Sequence, residues 1–304
     1  MEKQPLLLAL LLFFNTFGAN AQPRDPKMVK ALSSNAFNKR TVNTSTTTYS
    51  RLKNNSNGPV DIYAVVVGVG NYYYMPQLQY TDDDAAIFYD HLKRTEGGAI
   101  PDEHLVLLLN EDATRQNIVQ SLRQMSKQAD ENDVFIFYFS GHGLSGSFLP
   151  VDFDGFRNQL RHEEILQILE SSQAKQKLCI ADACFSGALD YDNTFAAKSP
   201  YAAPTDCYYD AFESTHTGTA LLMSSNPGEV SLEDRKLRHG VFTYFLMLGM
   251  NGAADFNHNQ IVTIQELFHY VYHYVAEYTE GAQSPVLTGD YDNLLPVSFV
   301  RNMK

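Results

Sequence analysis

The sequence predicts an α/β domain with a mostly parallel sheet covered by helices on both faces. Short apolar runs alternate with amphipathic segments along most of the chain, which is the pattern of strand-helix repeats. The runs are apolar at nearly every position rather than at every second one, as strands buried on both faces must be. His142 and Cys184 also fall just beyond the ends of two such runs, where open α/β sheets bind ligands.

Taken in order, residues 60–69 read as strand, 83–94 as helix, 105–109 as strand and 114–128 as helix. The next strand is 134–139, followed by a helix over 161–171, a strand over 177–181 and another over 220–224. Residues 241–250 are apolar all round and read as a buried helix, while 264–278 is more amphipathic.

Ahead of this body, residues 1–21 read as a secretory signal: Lys3, an apolar run from Leu6 to Phe14, and Ala19-Asn20-Ala21 as the cleavage site. The run is too short to span a bilayer comfortably, Asn15 interrupts its end, and no Cys follows to carry a lipid anchor. Residues 22–58, rich in Ser, Thr and Asn, read as a flexible leader or pro-segment. Residues 59–304 then form one domain. The expected location is secreted or periplasmic, without membrane attachment once the signal is removed.

A formal net charge of -12 would repel a phosphate backbone, so nucleic acid is excluded as a partner and basic peptides are favoured. The chain has three cysteines, Cys179, Cys184 and Cys207, and an odd count leaves a free thiol. Cys179 and Cys184 lie along what reads as one strand, too far apart for a disulfide at about 3.3 Å per residue. Cys207, in a loop-like stretch, reads as a spectator.

No metal site is assigned. There is no CxxC pair, and His269 and His273 share a helix face without the Glu of a metalloprotease motif. Asp255 to Glu266 places oxygen ligands at the first, third, fifth and twelfth positions of an EF-hand loop. Gln260, however, stands where the sharp turn demands Gly, so the stretch reads as a turn capping the next helix. Gly68-Val69-Gly70 is a weak dinucleotide-binding signal, since Tyr73 occupies the third glycine position.

The chemistry concentrates in two segments. Residues 177–187 run an apolar strand into Asp182-Ala183-Cys184-Phe185-Ser186-Gly187, and residues 134–143 run another into Ser140-Gly141-His142-Gly143. A free thiol is only a few per cent ionised at neutral pH, so a Cys nucleophile needs a base, and an imidazole can take and return its proton there. Flanking glycines let the backbone turn tightly and approach a substrate, and the amides of Gly143 and Cys184 are candidates for holding an oxyanion. The stretch from Ala188 to Thr217, which contains Lys198, reads either as a processing loop or as a surface insertion.

These two segments resemble the signature segments of the caspase-like cysteine peptidases, and specifically the metacaspase branch of bacterial type. Ala64 to Tyr72 with Asp84-Ala85, Leu149-Pro150-Val151-Asp152 and Gly240-Val241-Phe242-Thr243 extend the resemblance over roughly Val60 to Gly289. It implies a caspase-like three-layer sandwich and a cysteine endopeptidase with His142 as base and acid, Cys184 as nucleophile, and Gly143 and Cys184 as oxyanion hole. It further implies a specificity pocket of Asp84, Asp182 and Ser140 that accepts Arg or Lys from peptide or protein substrates. Eukaryotic metacaspases commonly carry His where this chain has Phe185, and some relatives have Cys where Thr81 stands. The resemblance implies no required cofactor, with calcium an activator in some metacaspases. Two alternatives stand beside it: a catalytically silent caspase-fold module that binds or regulates, and a calcium-binding adhesion or scaffold protein built on the 255–266 stretch.

Overall fold

The structure, a computed structural model, describes residues 58–183, 212, 215–226 and 228–301, all within one compact unit. The signal segment, the leader except Gly58, and Cys184, Lys198 and Cys207 lie outside the described residues.

Six strands form the central sheet: β1 (Ile62–Gly68), β2 (Leu105–Leu109), β3 (Val134–Ser140), β4 (Gln176–Asp182), β5 (Gly218–Met223) and β6 (Val286–Thr288). Their spatial order is β6-β5-β4-β3-β1-β2. The first five are mutually parallel and β6 pairs antiparallel at the edge. Among the described residues the α-helices are α1 (Thr81–Lys93), α2 (Arg115–Gln128), α3 (His162–Ser171), α4 (Val241–Leu248) and α5 (Ile264–Tyr278).

Every residue of β1, β3 and β4 is buried, which is why these runs show no polar alternation. Alternation still decides which core each side chain enters. Tyr63, Val65 and Val67 of β1 and Phe135, Phe137 and Phe139 of β3 share a core with Ile118 and Leu122 of α2 and Ile165 and Leu169 of α3. On the opposite face Tyr138 stacks on Phe88 of α1 with ring centroids 4.4 Å apart, and its hydroxyl meets Thr243 of α4 at 2.8 Å. Each large apolar side chain so buried contributes about 1.5–3 kcal/mol, so the sheet is held from both sides.

The expected elements all form, with ends shifted by a few residues at most. The helix expected from Asp83 begins at Thr81, so that Asp82, Asp83 and Asp84 occupy its first turn, where the helix field favours carboxylates. Thr114 caps α2 by accepting from the amide of Asn117. The buried helix from Val241 is α-helical to Leu248 and continues as a wider turn over Gly249–Ala253, with Gly252 at φ 110°. Short strands of three or four residues went unread: β6, and the pair Ile261–Thr263 with Pro296–Phe299.

Two ambiguous motifs resolve into local structure. In the 255–266 stretch Glu266 closes a capping box with Thr263 at the start of α5, and its other oxygen accepts from Asn257 at 2.7 Å. Both oxygens of Asp255 accept amides, from Asn259 and Gln260, and Gln260 takes the left-handed φ of 72° that the turn requires. After β1, the amides of Gly70 and Asn71 both donate to the side-chain oxygen of Asn110 at 2.9 Å, so the donors that a dinucleotide phosphate would need are taken.

Candidate active site

The carboxyl ends of three neighbouring strands set out the site in register. Gly68 of β1 lies opposite Ser140 of β3, and Ser140 lies opposite Asp182 of β4. The backbone stays paired just past the strand ends: Val69 donates to the carbonyl of Ser140 at 2.9 Å and Gly141 to that of Asp182 at 3.1 Å. Gly68 is needed because α1 presses on β1 here. A Cβ at this position would sit 2.6 Å from that of Ala85 and 2.7 Å from the carbonyl of Thr81.

His142 follows two residues after Ser140 and is fixed at four points. Its amide donates to the Tyr72 hydroxyl at 2.7 Å, and that hydroxyl donates onward to the carbonyl of Leu149 at 2.8 Å. The Leu149 amide returns a bond to the His142 carbonyl at 3.0 Å. The imidazole Nε2 lies 2.8 Å from the carbonyl oxygen of Pro76, and the ring leans on that of Tyr72 with centroids 4.8 Å apart. A carbonyl can only accept, so Nε2 carries the proton and Nδ1 is left as the basic nitrogen. Gly141 is dictated by the same cluster, because a Cβ there would meet the Tyr72 hydroxyl at 2.6 Å. Gly143 is half-buried and opens a short strand, Gly143–Leu144.

Cys184, expected to be the nucleophile, lies outside the described residues, and the structure describes its approach as far as Ala183. That approach is locked by a residue not singled out from sequence. The Ser224 hydroxyl accepts from the Ala183 amide and donates to the Ala183 carbonyl, both at 3.1 Å, while the Ser224 amide bonds Ala181. Cys179, in the middle of β4, is fully buried, and burial pushes its thiol up to about 12, which leaves it an apolar core residue.

Asp84 and Asp182 do come together, and Gly240 marks the point. A Cβ on Gly240 would stand 2.4 Å from Oδ2 of Asp182 and 3.0 Å from Oδ2 of Asp84. Ser140, also fully buried, lies in register beside Asp182. Thr81 is buried one turn before Asp84, and its hydroxyl has no hydrogen-bond partner among the described residues.

Both carboxylates have hydrogen-bond donors of their own. Asp84 accepts from His239 Nδ1 at 2.6 Å and from the Gly240 amide at 2.9 Å. Asp182 accepts from the Ser231 hydroxyl at 2.5 Å and from the Thr243 amide and hydroxyl at 3.1 and 2.7 Å. These donors arrive from the segment after β5 and from α4, distant in sequence. Burial raises the pKa of Asp84 to about 7, overriding its bonds to His239 and Gly240, and the charge of Asp182 adds to the rise. Burial likewise raises Asp182 against its bonds to Ser231 and Thr243.

On α5, His269 pairs with Gln265 and His273 with Glu277, two separate contacts on an exposed face.

The family model for the caspase domain matches residues 62–293. A protein described as a probable protease, from a Desulfuromonadales bacterium, is 26% identical over 220 residues, covering 64% of this chain and 26% of that protein. The chain thus spans about a quarter of the length of the curated relative it matches. Among solved structures, a protein from Geobacter sulfurreducens aligns with a TM-score of 0.49 at 15% identity, over 76% of this chain and 93% of its own.

Proposed function

Because the chain belongs to the caspase-domain family, a family of peptidases, we propose that it is a cysteine endopeptidase of metacaspase type that cleaves after Arg or Lys. The observation that carries the reading is the fixed imidazole of His142, its Nε2 tied to the Pro76 carbonyl and its Nδ1 left basic, at the strand end beside the one that leads to Cys184.

In this mechanism Nδ1 of His142 takes the thiol proton of Cys184. The thiolate attacks the scissile carbonyl carbon, a C–S bond forms, and the π electrons move to oxygen, where the amides of Gly143 and Cys184 hold the charge. Collapse breaks the C–N bond as His142 gives its proton to the leaving amine. Water, deprotonated by His142, then cleaves the thioester and restores the thiol. Each proton taken is returned, and the groups named supply every step.

The preference for Arg or Lys rests on Asp84 and Asp182, two carboxylates at one buried point, with Ser140 beside them. A guanidinium there would pair charge with charge as well as hydrogen-bond, which no neutral side chain can do. The apolar N-terminal run and small-residue cleavage site support export to the periplasm or beyond, and residues 22–58 a removable leader.

The test is hydrolysis of fluorogenic peptides ending in Arg, Lys, Asp or Asn, with Cys184→Ala as control and with calcium added or chelated. Turnover of the Arg and Lys peptides that vanishes in Cys184→Ala is expected. Turnover confined to Asp or Asn would overturn the specificity. Silence on all four would favour the inactive binding module, and a calcium requirement would add an activator.

A further inference from the structure

The acidic pair already has a basic partner of its own. His239 reaches Asp84 with Nδ1 2.6 Å from Oδ1, and its side chain is 17% exposed while that of Asp84 is fully buried. The adjoining Gly240 amide takes the other oxygen of Asp84, so one dipeptide bonds both oxygens of that carboxylate.

The surroundings leave His239 facing mostly negative groups. Asp84 comes from α1. Asp182 comes from β4, and Glu233, which acts on Asp182, and Asp234, the register partner of His239, come from the short strand beside it. Tyr244 of α4 has its ring centroid 6.2 Å from that of His239, and Tyr138 of β3 lies near both aspartates. Arg238, its neighbour in sequence, is exposed.

We infer that His239 is the resident counter-ion of the specificity pocket, and that the substrate's Arg or Lys head must displace its charge to engage Asp84. This deepens the proposed function and rests on it. The argument is one of charge and space. Asp84 Oδ1 is within 2.6 Å of the imidazole, so a guanidinium reaching the same carboxylate would be set against an imidazolium in a largely buried site. Two cations there repel, so either the imidazole gives up its proton or the ring moves out. His239 thereby sets how tightly a cationic residue binds and ties that affinity to pH. The coupling is reciprocal: whatever the His239 proton costs the incoming cation, the cation costs the proton.

The probe is benzamidine, a small amidinium, titrated calorimetrically into the full chain in two buffers of different ionisation heat, with neutral benzamide as control. Binding near pH 6 is expected to release about one proton, and affinity to rise about tenfold from pH 5.5 to 7.5, the span over which an imidazole changes charge. His239→Asn and His239→Gln, which keep a donor for Asp84 without the charge, are expected to bind benzamidine about tenfold more tightly than wild type at pH 5.5. Unchanged affinity in both variants, with proton release intact, would assign the proton to Asp84 and overturn the role of His239 while leaving the acidic pocket standing. Failure of any form to bind benzamidine, together with turnover of neutral peptides only, would overturn the Arg and Lys reading itself and this inference with it.

Discussion

The Nε2 of His142 lies 2.8 Å from the carbonyl oxygen of Pro76, across 66 positions of sequence. A backbone acceptor here fixes the tautomer without a third side chain, so no acidic residue need be found to orient the base. What holds the ring in place is the loop after β1, through Pro76 and through Tyr72, whose hydroxyl receives the His142 amide and donates to Leu149.

Tyr72→Phe therefore removes two hydrogen bonds at once from a buried cluster. Leaving the His142 amide and Leu149 carbonyl unpaired costs about 1–3 kcal/mol of stability per group. Because a small displacement of a catalytic base slows chemistry steeply, kcat is expected to fall about 10- to 100-fold with KM little changed. Peptide kinetics beside a urea melt check both. A rise in KM at constant kcat would place Tyr72 in substrate binding instead.

Gly240→Ala tests the acidic pair by geometry. Gly240 has φ −57°, so Ala meets no backbone strain, but its methyl would arrive 2.4 Å from one carboxylate oxygen and 3.0 Å from the other. The pair must spread or turn away. Turnover of Arg and Lys peptides is expected to fall about 100-fold, a few kcal/mol of lost transition-state binding, with a native circular dichroism spectrum. Turnover unchanged from wild type would show that the carboxylates do not hold the substrate.

Much of this was legible in the sequence, for reasons that residues make plain. The strands β1, β3 and β4 are apolar because both their faces are buried, and their ends carry glycine, serine and aspartate where apolar packing stops. Asp182 and Ser140 could be paired with Asp84 only through the family resemblance, and the register and the α1 contact then supplied a physical reason. Pro76 acts through a carbonyl, which every residue has, so nothing in its side chain could flag it. Ser224, Ser231 and His239 look like ordinary polar residues until β5 and α4 fold back against β4. The edge strand β6 was missed because three residues carry no measurable period.

Gly68→Ala should lower stability. The added methyl would press on Ala85 and on the rigid carbonyl of Thr81, at 2.6 and 2.7 Å, and neither can swing aside as a long side chain could. Overpacking of this kind costs about 1–3 kcal/mol. The expected readout is a lower urea midpoint with an unchanged slope. Since α1 carries Asp84, turnover of Arg peptides should decline more than stability alone explains.

Acid stability isolates His91. This imidazole is fully buried on α1, 3.2 Å from the Ser298 hydroxyl, and burial, then the charge of Arg94, lowers its pKa to about 4. A buried histidine of lowered pKa stabilises the fold fully above its unfolded value of about 6.5, and that contribution is lost as pH falls toward 4, because the unfolded chain takes up the proton first. Over that window His91 withdraws about 3 kcal/mol. His162, also lowered by burial to about 4, acts in the same direction. Asp84 and Asp133, raised to about 7 and about 6, act oppositely: their protonated forms favour the fold, so their contribution is present at low pH and lost as pH rises. Total stability thus mixes signs, and the decisive measurement is a difference. His91→Gln, which keeps a polar partner for Ser298, should be less stable than wild type at pH 7. Between pH 7 and 4.5 that deficit should shrink by about 2–3 kcal/mol in urea unfolding. A deficit independent of pH would mean that the folded and unfolded chains bind the His91 proton equally.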